Sequence, residues 1–104
     1  MIKVSVFYPN EAGKKFDMEY YLNQHKPMVM AKLGPLGLKG LTVDKGLSGG
    51  APGSAAPFVC MGHMRFESME AYKQSMKAHG KEVLADVLNF TDITPQIQIS
   101  EIQP

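Results

Sequence analysis

A chain of 104 residues is short for two domains and reads as one domain over residues 1–104, a size at which roughly two-thirds of the unfolded chain's surface is buried on folding. Its 11 Lys and Arg against 10 Asp and Glu leave no single-sign field for a phosphate backbone or an anionic bilayer, so nucleic acid and membrane are set aside as partners. No apolar run suits a membrane span, the N-terminus starts directly on a strand pattern, and a lone Cys60 with three scattered histidines matches no zinc spacing. A cytoplasmic protein without a metal is the expectation.

Ile2 to Tyr8 alternates, with Ile2, Val4, Val6 and Tyr8 on one face and Lys3, Ser5 and Phe7 on the other, which is the period of a strand. Pro9, Asn10 and Gly13 punctuate a turn. Asp17 then stands where a helix N-cap belongs, and Glu19 suits the positive end of the helix dipole. Met18, Tyr21, Leu22, Val29 and Leu33 recur at helical spacing, with His25 inside their stripe. Pro27 has no amide hydrogen to give the carbonyl of Asn23, so a kink near His25 is expected before Gly34 and Pro35 stop the helix.

Leu38 to Leu47 reads as a second strand near a sheet edge, with Leu41 and Val43 inward. Ser48 to Pro57, rich in Gly, Pro, Ala and Ser, reads as a mobile loop long enough to cover a pocket. Phe58 to Phe66 is a third strand with apolar residues on both faces. Phe58, Cys60, Gly62, Met64 and Phe66 point one way, and Val59, Met61, His63 and Arg65 the other. Ser68 caps a second helix whose buried stripe is Met69, Tyr72, Met76, Val83, Leu84 and Val87, with Gly80 expected to divide it between about Ala78 and Lys81. Gln96 to Ile102 is a closing strand with Ile97 and Ile99 inward.

The order β-α-β-β-α-β describes an α+β, ferredoxin-like fold in which two helices cover one face of a four-stranded antiparallel sheet. The other face carries Phe7 and Met61 among Ser5, His63 and Gln98, a mixture suited to a second sheet, so a two-fold homodimer is expected.

Three stretches resemble the EthD family, named after a component of bacterial ethyl tert-butyl ether degradation. Phe16 to Val29 is similar to its pattern of an aspartate, a tyrosine pair, a histidine and a proline. Leu38 to Ser68 resembles its second and third strands with their glycine-rich loop, and Asn89 to Ile102 its closing segment. The resemblance implies a dimeric α+β barrel, with two sheets face to face, helices outside and a small-molecule cavity in each subunit between sheet and helices. It supplies no reaction, since relatives on this architecture include cofactor-free isomerases, monooxygenases, polyketide cyclases and haem-binding enzymes.

His25 is the leading catalytic candidate, because a histidine within an apolar helix face occupies a place where leucine packs better, and imidazole is the natural general acid or base near neutral pH. It also matches the motif histidine of the family. The structural alternative is a core histidine satisfied by a backbone carbonyl. Tyr8, Tyr20 and Tyr21 are candidates to donate a hydrogen bond to a ligand oxygen, and Cys60 and Met64 share the helix-facing parity of their strand, with Gly62 between them leaving room. Gly49, Gly50 and Gly53 form no phosphate loop, since no Lys or Ser/Thr follows at the required spacing, and no motif calls for a cofactor. Three readings follow: a small-molecule-binding accessory protein of a degradative pathway acting on an oxygenated apolar compound, a cofactor-free isomerase, cyclase or oxygenase using His25 for proton transfer, or a haem protein with His25 as axial ligand.

Overall fold

The computed structural model describes all 104 residues. Four strands, β1 (Ile2–Pro9), β2 (Leu38–Lys45), β3 (Phe58–Phe66) and β4 (Gln96–Glu101), form one antiparallel sheet in the order β2-β3-β1-β4. Helix α1, residues 18–33, joins β1 to β2, and helix α2 (Met69–Val87) joins β3 to β4. This is the α+β, ferredoxin-like arrangement expected from the order of elements. No helix is long and apolar enough to cross a membrane.

Register decides what faces the helices. Val4 pairs with Met64 and Ile99, and Met64 in turn with Leu41, so one row of side chains crosses the sheet beneath the helices. The next row is Val43, Gly62, Val6 and Ile97, and its glycine leaves a gap in the centre. Phe66 and Leu33 are completely buried, each contributing about 2–3 kcal/mol by removal of apolar surface from water. Ile97 and Ile99 lie on the helix side as expected, but β4 is the sheet's last strand and the helices do not reach across it, so both remain exposed.

The buried residues fall into two clusters. One gathers Val4, Leu33, Leu41, Met64, Phe66 and Val83, and the other gathers Tyr8, Tyr21, Cys60, Phe90 and Ile93. The second is held by a clasp between the start of α1 and the end of α2. The Asp17 amide donates to the Phe90 carbonyl at 2.7 Å, the Thr91 hydroxyl donates to the Lys15 carbonyl, and Asp92 Oδ1 accepts from the Lys15 amide at 2.8 Å.

Several sequence expectations need correction. Helix α2 is continuous through Gly80, because the roughly 1 kcal/mol a glycine costs a helix is small beside the packing of a 19-residue helix capped by Ser68. Met69 and Leu84, expected in its buried stripe, are exposed, Leu84 at the uncovered margin beside β4. The second strand stops at Lys45, and the segment beyond it forms a closed turn in which the Gly49 amide donates to the Ser54 carbonyl at 3.0 Å and Gly53 takes a φ of 77°. The parity expected for the start of the third strand is also reversed: a register shift opposite Tyr8 and Pro9 brings Phe58 onto Phe7 on the opposite sheet face and Val59 against the Tyr8 cluster. That opposite face is open, with Arg65 lying across Gly40 and Met61 only half-buried.

Candidate functional site

Asp17 caps α1, its carboxylate accepting from the Tyr20 amide at 3.0 Å. Tyr21–His25 then form a π-helical turn closed by the Lys26 amide on the Tyr21 carbonyl, and Lys26–Leu33 resume the α form with Pro27 in their first turn. The proline is the cause: behind a widened turn its missing amide falls where a helix begins and costs little. The kink expected at His25 is thus a wide turn. Because that turn takes up an extra residue, Leu22 leaves the buried stripe and is exposed, while Tyr21 and His25 are both buried with ring centroids 5.3 Å apart.

His25 Nδ1 lies 2.7 Å from Asp86 Oδ2. The other Asp86 oxygen accepts from the Tyr20 hydroxyl at 2.7 Å and from the Asn89 side-chain amide at 2.9 Å. Asp86 stands in the last turn of α2, where the helix dipole disfavours a negative charge, so these three donors are what make an ionised carboxylate tolerable there. Burial alone would raise the Asp86 carboxyl, but the hydrogen bonds from Asn89, His25 and Tyr20 outweigh it and hold the group below the ordinary carboxylate range. The same bond to Asp86 pushes the Tyr20 hydroxyl upward. An ionised Asp86 accepts the hydrogen of Nδ1 and leaves Nε2 of a neutral imidazole with the lone pair.

Where the two buried clusters meet, a cavity of about 60 Å³ separates sheet from helices, room for roughly four to six water molecules. Val4, Val6, Leu41, Gly62 and Met64 make its floor. Tyr21, His25 and Val29 of α1 and Met76, Val83 and Val87 of α2 make its roof, with Tyr8 and Tyr72 completing the wall. Leu84 and Ile97, each more than half exposed, mark the mouth between α2 and β4. A Cβ at Gly62 would collide with Tyr21 Oη, so the phenol occupies the space that any side chain there would need. Burial pushes both the Tyr8 and the Tyr21 hydroxyls above their ordinary range, so they are proton donors and not phenolates at neutral pH.

His25, Tyr21, Tyr8 and Met64 therefore line one cavity. Cys60 does not: it pairs with Tyr8 at the far end of β3, packs in the aromatic cluster, and has its thiol pushed up to about 12 by burial and by the charge of Asp44. No residue of the Ser48 to Pro57 loop reaches the cavity, so the loop covers no pocket within this chain. His63 sits on the open sheet face, 2.9 Å from Ser5 Oγ and 3.3 Å from Asp44 Oδ2, and His79 stands in mid-helix facing Glu82. No group of three or more His, Cys, Asp or Glu side chains converges as a metal site would require.

Asp86 was absent from the sequence-derived candidates. Its signal was local: a carboxylate three residues after buried Val83 in the last helical turn is disfavoured unless donors are built around it.

The EthD domain profile matches residues 11–94. An EthD-like protein of known structure from Ralstonia eutropha is 45% identical, covering 99% of this chain and 92% of its own, with a TM-score of 0.93. An EthD family protein from Bacillus halodurans, 24% identical over 99% of both chains, superposes with a TM-score of 0.66. A dimeric ferredoxin-like protein from an uncultured marine organism, 12% identical over 100% of this chain and 96% of its own, shares the fold with a TM-score of 0.63. No curated protein sequence matches the chain. With the matched profile spanning most of its length and an EthD-like relative at 45% identity, the chain belongs to the EthD family.

Proposed function

We propose that this protein binds a small, uncharged, largely apolar molecule bearing an oxygen in the cavity between sheet and helices, and that His25, positioned by Asp86, exchanges a proton with it without a cofactor. The observation that carries this reading is the 2.7 Å contact between Asp86 and Nδ1 of a histidine only 5% exposed, set in the wall of an apolar cavity. A purely structural histidine could be satisfied by a backbone carbonyl. Here the partner is an ionised carboxylate with three donors, an arrangement that fixes the tautomer and stabilises a positive ring if a proton arrives.

The walls argue for the ligand class. The lining contains no Lys, Arg, Asp or Glu, so a phosphate or carboxylate would enter without a fixed counter-charge. A role in the degradation of ether-like compounds is supported by membership of a family named after a component of ethyl tert-butyl ether degradation. A haem macrocycle does not suit a cavity of about 60 Å³, which leaves the axial-ligand reading without support. We further propose that the protein works in the cytoplasm as a homodimer joined through the open sheet face.

The test is a binding screen of small ethers, alcohols and ketones by saturation-transfer NMR on wild type and on His25→Phe. Phenylalanine fills the imidazole's space without stranding a charge, so the variant is expected to fold and to lose binding at least tenfold. A His25→Phe protein that binds as well as wild type would end the functional reading of His25.

A further inference from the structure

Tyr8 and Tyr21 are 2% and 3% exposed, yet neither hydroxyl has a hydrogen-bonding partner in the chain. Buried phenols ordinarily find one, since leaving a hydroxyl unsatisfied in an apolar setting is costly. Neither oxygen is sealed in protein, and both residues line the cavity, Tyr21 with its oxygen over Gly62 on the floor. The two rings meet edge to face with centroids 6.1 Å apart, so both phenols belong to one wall of the same cavity. His25 adds a third unpartnered polar atom, Nε2, from a ring 5.3 Å from that of Tyr21.

We infer that this trio is built for an enolisable ketone or aldehyde, with the carbonyl oxygen held by the Tyr8 and Tyr21 hydroxyls and an α-hydrogen presented to His25 Nε2. The inference rests on the proposed reading of the cavity and adds to it the substrate class and the bond that reacts. Two donors and one base, with no cation and no accessible nucleophile, match the needs of one step. The Nε2 lone pair takes the α-proton, the C–H electrons form a carbon–carbon double bond, and the carbonyl π electrons move onto oxygen. Both phenols strengthen their hydrogen bonds as that oxygen becomes negative, and the imidazolium is stabilised by Asp86. Return of a proton to oxygen yields the enol, and its return to the α-carbon regenerates the carbonyl compound with that hydrogen exchanged, so atoms and electrons balance with no co-reactant. An alcohol or ether, lacking an acidic C–H, would bind and leave unchanged.

The experiment uses cyclopentanone, cyclopentanol and ethyl tert-butyl ether as probes, with binding read by saturation-transfer NMR and α-hydrogen exchange read by ¹H NMR in D₂O. Wild type should accelerate exchange of cyclopentanone above buffer. His25→Phe should abolish the acceleration, and Tyr8→Phe and Tyr21→Phe should each lower it tenfold or more, in line with the roughly 10²–10³ that one oxyanion donor contributes elsewhere. Phenylalanine keeps each ring and its volume, and thermal melting establishes that each variant is folded. Cyclopentanone that binds but exchanges at the buffer rate, or tyrosine variants exchanging as fast as wild type, would overturn the inference while leaving the binding reading intact. If none of the three probes binds, the reading of the cavity fails and takes the inference with it.

Discussion

At Asp86 three hydrogen bonds hold an ionised carboxylate against the negative end of a helix, and acid is expected to undo them. A carboxyl whose folded-state pKa is depressed adds stability that is fully present above its unfolded value, about pH 4, and is lost as pH falls through the folded value. Glu67, Glu82 and Asp92 are depressed as well, so the diagnostic quantity is a difference. Melting temperatures followed from pH 7 to pH 2 should fall less steeply for Asp86→Asn than for wild type, and equal slopes would show that Asp86 is not held low. Gly62→Ala should lower stability by about 1–3 kcal/mol in urea titrations, because the new methyl collides with the Tyr21 hydroxyl and must displace it into the cavity. His25 was legible from sequence as a polar residue in an apolar helix stripe, and so was the facing of Gly62 and Met64. Its partner was not: Asp86 lies 61 residues away, and nothing in helical spacing reports which residue of a second helix comes within 2.7 Å. Cys60 shows the complementary limit, since strand parity fixes the face a side chain points to and not the end of the sheet where the cavity lies.

Elements obeyed local rules where packing agreed with them and departed where it did not. The caps Asp17 and Ser68 start their helices as sequence reading expects, the latter accepting from the Ala71 amide at 3.1 Å. Pro27 foretold an irregularity, but its form, a π turn that buries Tyr21 and His25 together, depends on the sheet and on Phe90, whose ring centroid is 4.8 Å from that of His25. Gly80 signalled a break that packing suppressed. A Cβ there would meet Met76 Cε at 3.4 Å, an ordinary contact, so Gly80→Ala should raise stability by about 0.5–1 kcal/mol through helix propensity. Urea midpoints for the two proteins decide it, and a loss of stability would mean that the helix backbone at Gly80 needs its present closeness to a neighbour.

For the molecule as a whole, the four-stranded order and the assignment of one face to the helices were available from alternation and turn residues alone, whereas the open face told only that something ought to cover it. Phe7 and Met61 are half-buried on that face beside Ser5, His63 and Asp44. Light scattering is expected to give twice the 11.4 kDa chain mass at micromolar concentration, and Met61→Lys should shift the particle to monomer by placing a charge on the face proposed to meet the second sheet. A monomeric wild type would remove the homodimer. The hollow between the two buried clusters has a mechanical consequence. A folded state with a hollow that protein atoms pack imperfectly occupies more volume than the hydrated unfolded chain, so hydrostatic compression should favour unfolding. Whatever molecule fills the space removes that advantage, and the midpoint pressure should therefore rise with its concentration. Filling Gly62 with alanine should move the protein the same way under compression while weakening it at one atmosphere, a reversal of rank that a solid-cored domain would not display.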